Sequence, residues 1–143
     1  MKPIGGFYWH IHHDVLVEWS DYISERRRYI RSDKPPEQVG LRLRLLRKVR
    51  GKLPDRVVTA RKRLEKARKA RDRVWNRFLA NDGCKDKISW KAYDDACSEV
   101  NSALNDYKKS FKVCMKEIRA LHRKECPDCP WNGRTIFPRK VKK

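Results

Sequence analysis

Two short stretches of this chain hold most of its metal-binding chemistry. Near the start, His10-Ile11-His12-His13-Asp14 gathers three imidazoles and a carboxylate. Near the end, His122 stands four residues before Cys126-Pro127-Asp128-Cys129, so three borderline-to-soft ligands fall within eight residues. Imidazole and thiolate together suit zinc, which structural sites hold tetrahedrally. The second stretch supplies three ligands, His122, Cys126 and Cys129, and lacks a fourth. The first stretch can supply it from His10, His12 or His13, and His12 is taken as the ligand. The competing reading of the C-x-x-C is a proline-rich turn that docks Trp131, Ile136 and Phe137 on a core. A thioredoxin-type redox role fits poorly, because Pro130 and Gly133 do not continue into a helix. With zinc the cofactor is structural; without it no cofactor is implied.

The first stretch has a catalytic reading too. If Phe7–Trp19 is one strand, His10, His12 and Asp14 share a face, as in metal sites that activate water against phosphoesters. That makes a metal-dependent phosphoesterase conceivable. Against it, only Glu18 lies near as a further carboxylate, and the chain is small. There is no Gly-rich phosphate loop, G-x-S-x-G, H-E-x-x-H or EF-hand pattern. The chain reads as non-enzymatic.

A third chemistry is charge. The 143 residues hold 37 Lys and Arg against 18 Asp and Glu, a formal net charge of +19. Twenty-one of the basic residues, against five acidic ones, fall between Arg26 and Arg77. Such a block calls for a polyanion, and nucleic acid is the usual one. Its Arg bias fits, since guanidinium forks match phosphate oxygens. The candidate contacts are Arg26, Arg27, Arg28, Arg42, Arg44, Arg47, Lys48, Arg61, Lys62, Lys66, Arg68, Lys69 and Arg73. Phosphate contacts of this kind bind DNA or RNA with little sequence preference. The alternative is an interaction or inhibitor protein whose basic surface meets an acidic host protein.

These residues must be positioned by helices and a small terminal module. Pro54 opens a helix to about Ala80: proline suits its first turn, and Asp55 suits the positive end of its dipole. A second helix runs from about Ser89 to Glu125, after a turn at Asn81-Asp82-Gly83. Their lengths come to roughly 40 and 55 Å at about 1.5 Å per residue. Val57, Ala60, Leu64, Ala67, Arg71, Val74 and Phe78 form a heptad seam on the first. Tyr93, Cys97, Val100, Leu104, Tyr107, Phe111, Cys114, Ile118 and Leu121 form one on the second. Folding at the turn pairs Phe78 with Tyr93, Ala67 with Leu104 and Leu64 with Tyr107, alanines facing larger partners as close packing requires.

The expected architecture is therefore mainly α. A long antiparallel coiled-coil hairpin over 54–125 stands on an N-terminal module, 1–53, of a short strand and short helices. The C-terminal segment 126–143 turns back onto that module and ends in a basic tail. Cys97 and Cys114 on the seam read as small buried hydrophobes. Arg61, Lys62, Lys66, Arg68, Lys69 and Arg73 lie mostly off it. The second helix mixes signs where the first does not, so the excess on the first looks placed. Before the hairpin, Glu37–Val49 fits strand or helix, and Pro36 at a first helical position tips it to helix. No run of eighteen apolar residues offers a membrane span. Five cysteines, with no export signal, point to reduced thiols or metal ligands and a cytoplasmic location.

Taken together, several segments resemble a group of short uncharacterised proteins of bacteriophage and microbial metagenomes. The residues are His12-His13-Asp14-Val15-Leu16-Val17-Glu18, Tyr29-Ile30 before Lys34-Pro35, Leu41-Arg42-Leu43-Arg44-Leu45, Lys52-Leu53-Pro54, and Cys126-Pro127-Asp128-Cys129-Pro130-Trp131-Asn132-Gly133-Arg134-Thr135-Ile136-Phe137-Pro138. The resemblance covers both ends of the chain and implies a phage or bacterial origin, with a shared terminal module around a variable helical centre. It carries over no activity and no functional residue.

Overall fold

A computed structural model describes residues 5–80 and 87–137. The chain is mainly helical, with a small antiparallel sheet. In order it forms β1 (Gly6–Trp9), β2 (Val17–Ser20), α1 (Ile23–Asp33), α2 (Pro36–Leu45), β3 (Arg47–Lys48), α3 (Asp55–Ala80), α4 (Lys87–Val113) and α5 (Met115–Glu125). Two compact units result: Met1–Lys52 with Leu121–Lys143, and Leu53–Ala120. The last turn of α5 thus belongs with the terminal segments.

In the terminal unit the sheet order is β2-β1-β3. The expected single strand Phe7–Trp19 is instead a hairpin: β1 pairs with β2 from Gly6↔Ser20 to Trp9↔Val17. The turn begins at His10, whose φ of 53° no strand can continue. Its amide bonds Leu16 O at 3.0 Å. Alternation survives on both arms, which is why the pattern reads as unbroken; Phe7 and Trp19 meet edge to face across it. On the other side of β1, Tyr8 and Trp9 pair with Lys48 and Arg47. The ambiguous stretch Glu37–Val49 is helical as far as Leu45, with proline in its first turn, and then pairs as β3 at Arg47–Lys48. Tyr8, Ile11, Ile30 and Leu46 form the buried cluster here, with Ile23, Val39 and Leu43 against it.

One carboxylate ties the terminal unit together. Glu125, at the end of α5 and 9 % exposed, accepts from the Arg50 amide at 2.6 Å, the Gly51 amide at 3.0 Å and Trp9 Nε1 at 3.4 Å. Gly51 leaves room for it: a Cβ there would lie 2.6 Å from a Leu121 methyl and 3.0 Å from Glu125 Oε2.

In the helical unit α3 packs on α4. α3 starts at Asp55 and ends at Ala80, as the Pro54 and Asp55 signals predict. α4 and α5 are interrupted only at Cys114, whose amide and carbonyl keep their bonds to Ser110 and Ile118 at 3.0 Å. Leu64, Ala67, Val100 and Ala103 are the buried cluster, flanked by Leu104 and Tyr107. Near the end of α3 the pairing differs from the heptad alignment: Phe78 meets Trp90 and Trp75 meets Tyr93. Both tryptophans are exposed residues beside the seam, which the heptad alignment did not include. The turn at Asn81-Asp82-Gly83 and the basic tail Arg139–Lys143 lie outside the described residues.

Candidate metal centre and basic face

Three segments far apart in sequence bring their ligands to one point in the terminal unit. His10 closes β1, His122 lies in the last turn of α5, and Cys129 sits in the turn beyond it. His10 Nε2 is 3.0 Å from His122 Nε2 and 3.1 Å from Cys129 Sγ. The three donor atoms lie within 4.8 Å of one another, and this group could hold a metal ion. His10 and His122 are 2 % and 5 % exposed. Trp131 covers the His10 ring at 5.2 Å, and Trp9 lies edge-on to His122 at 5.1 Å.

Burial sets the protonation of the group. It lowers the His10 pKa to about 4, with His122 adding to the effect, and it lowers that of His122. Both imidazoles are thus neutral at pH 7, the form that ligates metal. Burial also raises the thiol pKa values of Cys126 and Cys129. Both cysteines are free, as are Cys97 and Cys114. Cys114 is buried and Cys97 half-buried, in keeping with their place on the helix seam.

Of the four expected ligands, His122 and Cys129 converge and His12 does not. His12 is exposed and bonds Glu18 through Nδ1 at 2.7 Å. The hairpin turn swings it away and leaves His10 inside. Cys126 is buried, and its carbonyl accepts from the Cys129 amide at 3.1 Å, but its sulfur is not among the three converging donors. The same turn undoes the shared face of His10, His12 and Asp14, since Asp14 is exposed and His10 points to His122. The docking role of the C-terminal segment holds alongside the metal group. Ile136 is fully buried, its amide bonds His13 O at 2.9 Å, and Thr135 Oγ1 meets His13 Nδ1 at 3.0 Å.

The basic candidates divide by burial. On α3, Lys62, Lys66, Arg68, Lys69 and Arg73 are exposed. Lys62, Glu65, Lys66, Lys69 and Arg73 line one shallow groove, where Lys69 pairs with Glu65 at 3.3 Å. Arg61 is a correction: it is 7 % exposed, because it lies four residues after Val57 and three before Leu64, on the packed stripe. In the terminal unit, Arg28, Arg44, Arg47 and Lys48 are exposed and Arg27 half-buried. Arg42 is the second correction. It is buried at 7 %, donates twice to Gln38 Oε1 and lies 5.0 Å over the Phe137 ring. Arg26 spends its Nε on Ile11 O and its guanidinium over Tyr29.

Of the three N-terminal histidines that could supply the fourth ligand, His10 is the one the turn brings inside. Arg63, on the basic helix, bonds Glu99 at 3.0 Å and also Asp106 and Ser102 across the α3–α4 pair. No protein-family profile, curated protein or solved structure matches the chain. Among the described residues no helix is long and apolar enough to cross a membrane.

Proposed function

We propose that the protein binds nucleic acid through phosphate contacts on α3, without catalysing a reaction. The observation that carries this reading is the groove of Lys62, Lys66, Lys69 and Arg73, exposed along about three turns with Glu65 as its one acid. A helix face built only for solubility would mix signs at i, i+4 spacing. The whole-chain charge of +19 supplies a long-range attraction for the same ligand. We read the α3–α4 pair as an antiparallel coiled-coil hairpin, which would hold the groove straight over the repeat of a phosphate backbone. We read the metal as zinc in a structural role, because the ligands are nitrogen and sulfur and no carboxylate joins them.

Four phosphate contacts set the expected salt dependence. At a slope of about −0.9 per contact on duplex DNA, binding weakens roughly 150-fold between 50 and 200 mM salt. A mobility-shift or anisotropy titration at those two concentrations, with duplex and single-stranded oligonucleotides, tests it. A Lys66→Glu, Lys69→Glu double variant should bind far more weakly and show a shallower slope. Absence of binding at 50 mM, or a Kd that ignores salt, would sink the proposal. Capture of a protein that survives nuclease treatment would point the same face at an acidic protein.

A further inference from the structure

The converging group offers two nitrogens and one sulfur, whereas a structural zinc site closes with four protein ligands. A tetrahedral ion with Zn–N of about 2.0–2.1 Å and Zn–S of about 2.3 Å holds its nitrogens roughly 3.3 Å apart and a nitrogen and sulfur roughly 3.6 Å apart. The observed separations of 3.0 and 3.1 Å are close to these edges, so little movement is needed to admit the ion. The backbone is committed as well. His10 keeps a left-handed φ of 53°, a conformation that costs roughly 1–3 kcal/mol and persists where the surroundings demand it.

The fourth donor can be argued from proximity, spacing and charge. Cys126 lies in the same turn as Cys129, held by the Cys129 amide bond to Cys126 O at 3.1 Å and the Cys126 amide bond to His122 O at 2.7 Å. The Cys126 thiol lies outside the 4.8 Å group of the other three donors, within the field of the Cys129 thiol. C-x-x-C is the spacing at which two thiolates of one turn ligate a single zinc ion. Charge favours it further. Zn²⁺ with one thiolate leaves one net positive charge in a buried site, beside Arg44 and Arg47, which act on Cys129, and Arg47 and Arg50, which act on Cys126 against the single carboxylate of Glu125. A second thiolate makes the site neutral, and a buried uncompensated charge is costly.

We propose that His10, His122, Cys126 and Cys129 bind one structural zinc ion, with the Cys126 thiol turning about its Cα–Cβ bond into the group as the metal arrives. The proposal deepens the zinc reading above and is independent of nucleic-acid binding. Binding is proton exchange with no redox step: two thiols lose their protons, two S–Zn bonds form, and the imidazoles bind through the Nε2 lone pairs. The ion would clamp the β1 turn, the end of α5 and the C-terminal turn together.

The test uses the full chain, reduced and stripped with chelator, titrated with Co²⁺ and then Zn²⁺. Tetrahedral cobalt absorbs in the visible, and its sulfur-to-metal charge-transfer band grows with each thiolate. One equivalent should bind, with a band fitting two thiolates, and Zn²⁺ should bleach it. Cys126→Ser and Cys129→Ser should each halve the band, and His12→Ala should leave it unchanged. Protons released on Zn²⁺ addition in weak buffer at pH 6.5 should number two, a readout of the parent chain that stands if a variant fails to fold. One released proton, or a spectrum unmoved by Cys126→Ser, overturns the role of Cys126 and leaves a three-ligand site. No cobalt spectrum at one equivalent overturns the metal site itself.

Discussion

Replacing Glu125 with alanine should destabilise the terminal unit by about 3 kcal/mol, and the figure can be built from its bonds. The carboxylate receives two short backbone bonds, from Arg50 at 2.6 Å and Gly51 at 3.0 Å, and a longer one from Trp9 Nε1 at 3.4 Å. Hydrogen bonds to a charged group are worth about 1.5–3 kcal/mol each. The two short ones therefore supply most of a gross 3–6 kcal/mol, on the order of that range. Removing the charge returns part of this, because a buried carboxylate is itself poorly solvated. What stays is two amides and an indole N–H without their acceptor. In a chain of this size about 3 kcal/mol lowers the midpoint of thermal unfolding by roughly 10 °C. Glu125→Gln should cost less, since one oxygen remains, but its amide nitrogen then confronts a donor. Urea unfolding gives the free energy. Hydrogen exchange at the Arg50 and Gly51 amides locates it, and both should lose protection in the alanine variant. A change under about 0.5 kcal/mol, a typical surface-substitution effect, with both amides still protected, would refute the latch.

Further outcomes follow from the same geometry. Leu64, 1 % exposed in the helical unit, should cost about 3 kcal/mol as Leu64→Ala in denaturant unfolding, the usual figure for a core truncation. Arg42→Ala should weaken folding through its lost Gln38 bonds and Phe137 stacking; in the nucleic-acid titration it should move affinity less than Lys66→Ala does. Apparent zinc affinity should rise with pH. The thiols, raised by burial, stay protonated at neutrality and must release protons, so the gain is up to about 100-fold per pH unit for two protons. His10, lowered by burial, competes appreciably only as the pH falls toward its value of about 4. Competition with a chromophoric chelator from pH 6 to 8 reads this slope, and a flat line would contradict it.

How far the sequence could be read depended on the length of each pattern. α3 shows a sustained helical repeat with Pro54 before it and Asp55 at its first position, so its bounds are legible almost to the residue. The β1–β2 turn has no Gly, Pro or Asn to mark it; the chain reverses on the backbone of His10 instead, and alternation alone cannot reveal a reversal. That single omission exchanged His12 for His10 as a ligand. Arg61 was misjudged for a related reason. On a helix one residue turns the side chain by about 100°, and Ala60 fitted a strict heptad where Arg61 occupies the packed stripe. Arg42 could not be seen as buried until α2 was known to face Phe137, nearly a hundred residues on.

The terminal unit is stitched from both ends of the chain, while the helical unit is continuous from Leu53 to Ala120. This imposes an order on biosynthesis. α3 and α4 can pair as soon as the chain between them has left the ribosome. β1, with His10 at its end, has to wait for residues more than a hundred positions later before Glu125 and His122 can seat against it. Contacts of such sequence separation form slowly, and until they do the aromatic strands lie open to wrong partners. A translation product halted at Ala120 should accordingly hold its two long helices but lack a settled sheet.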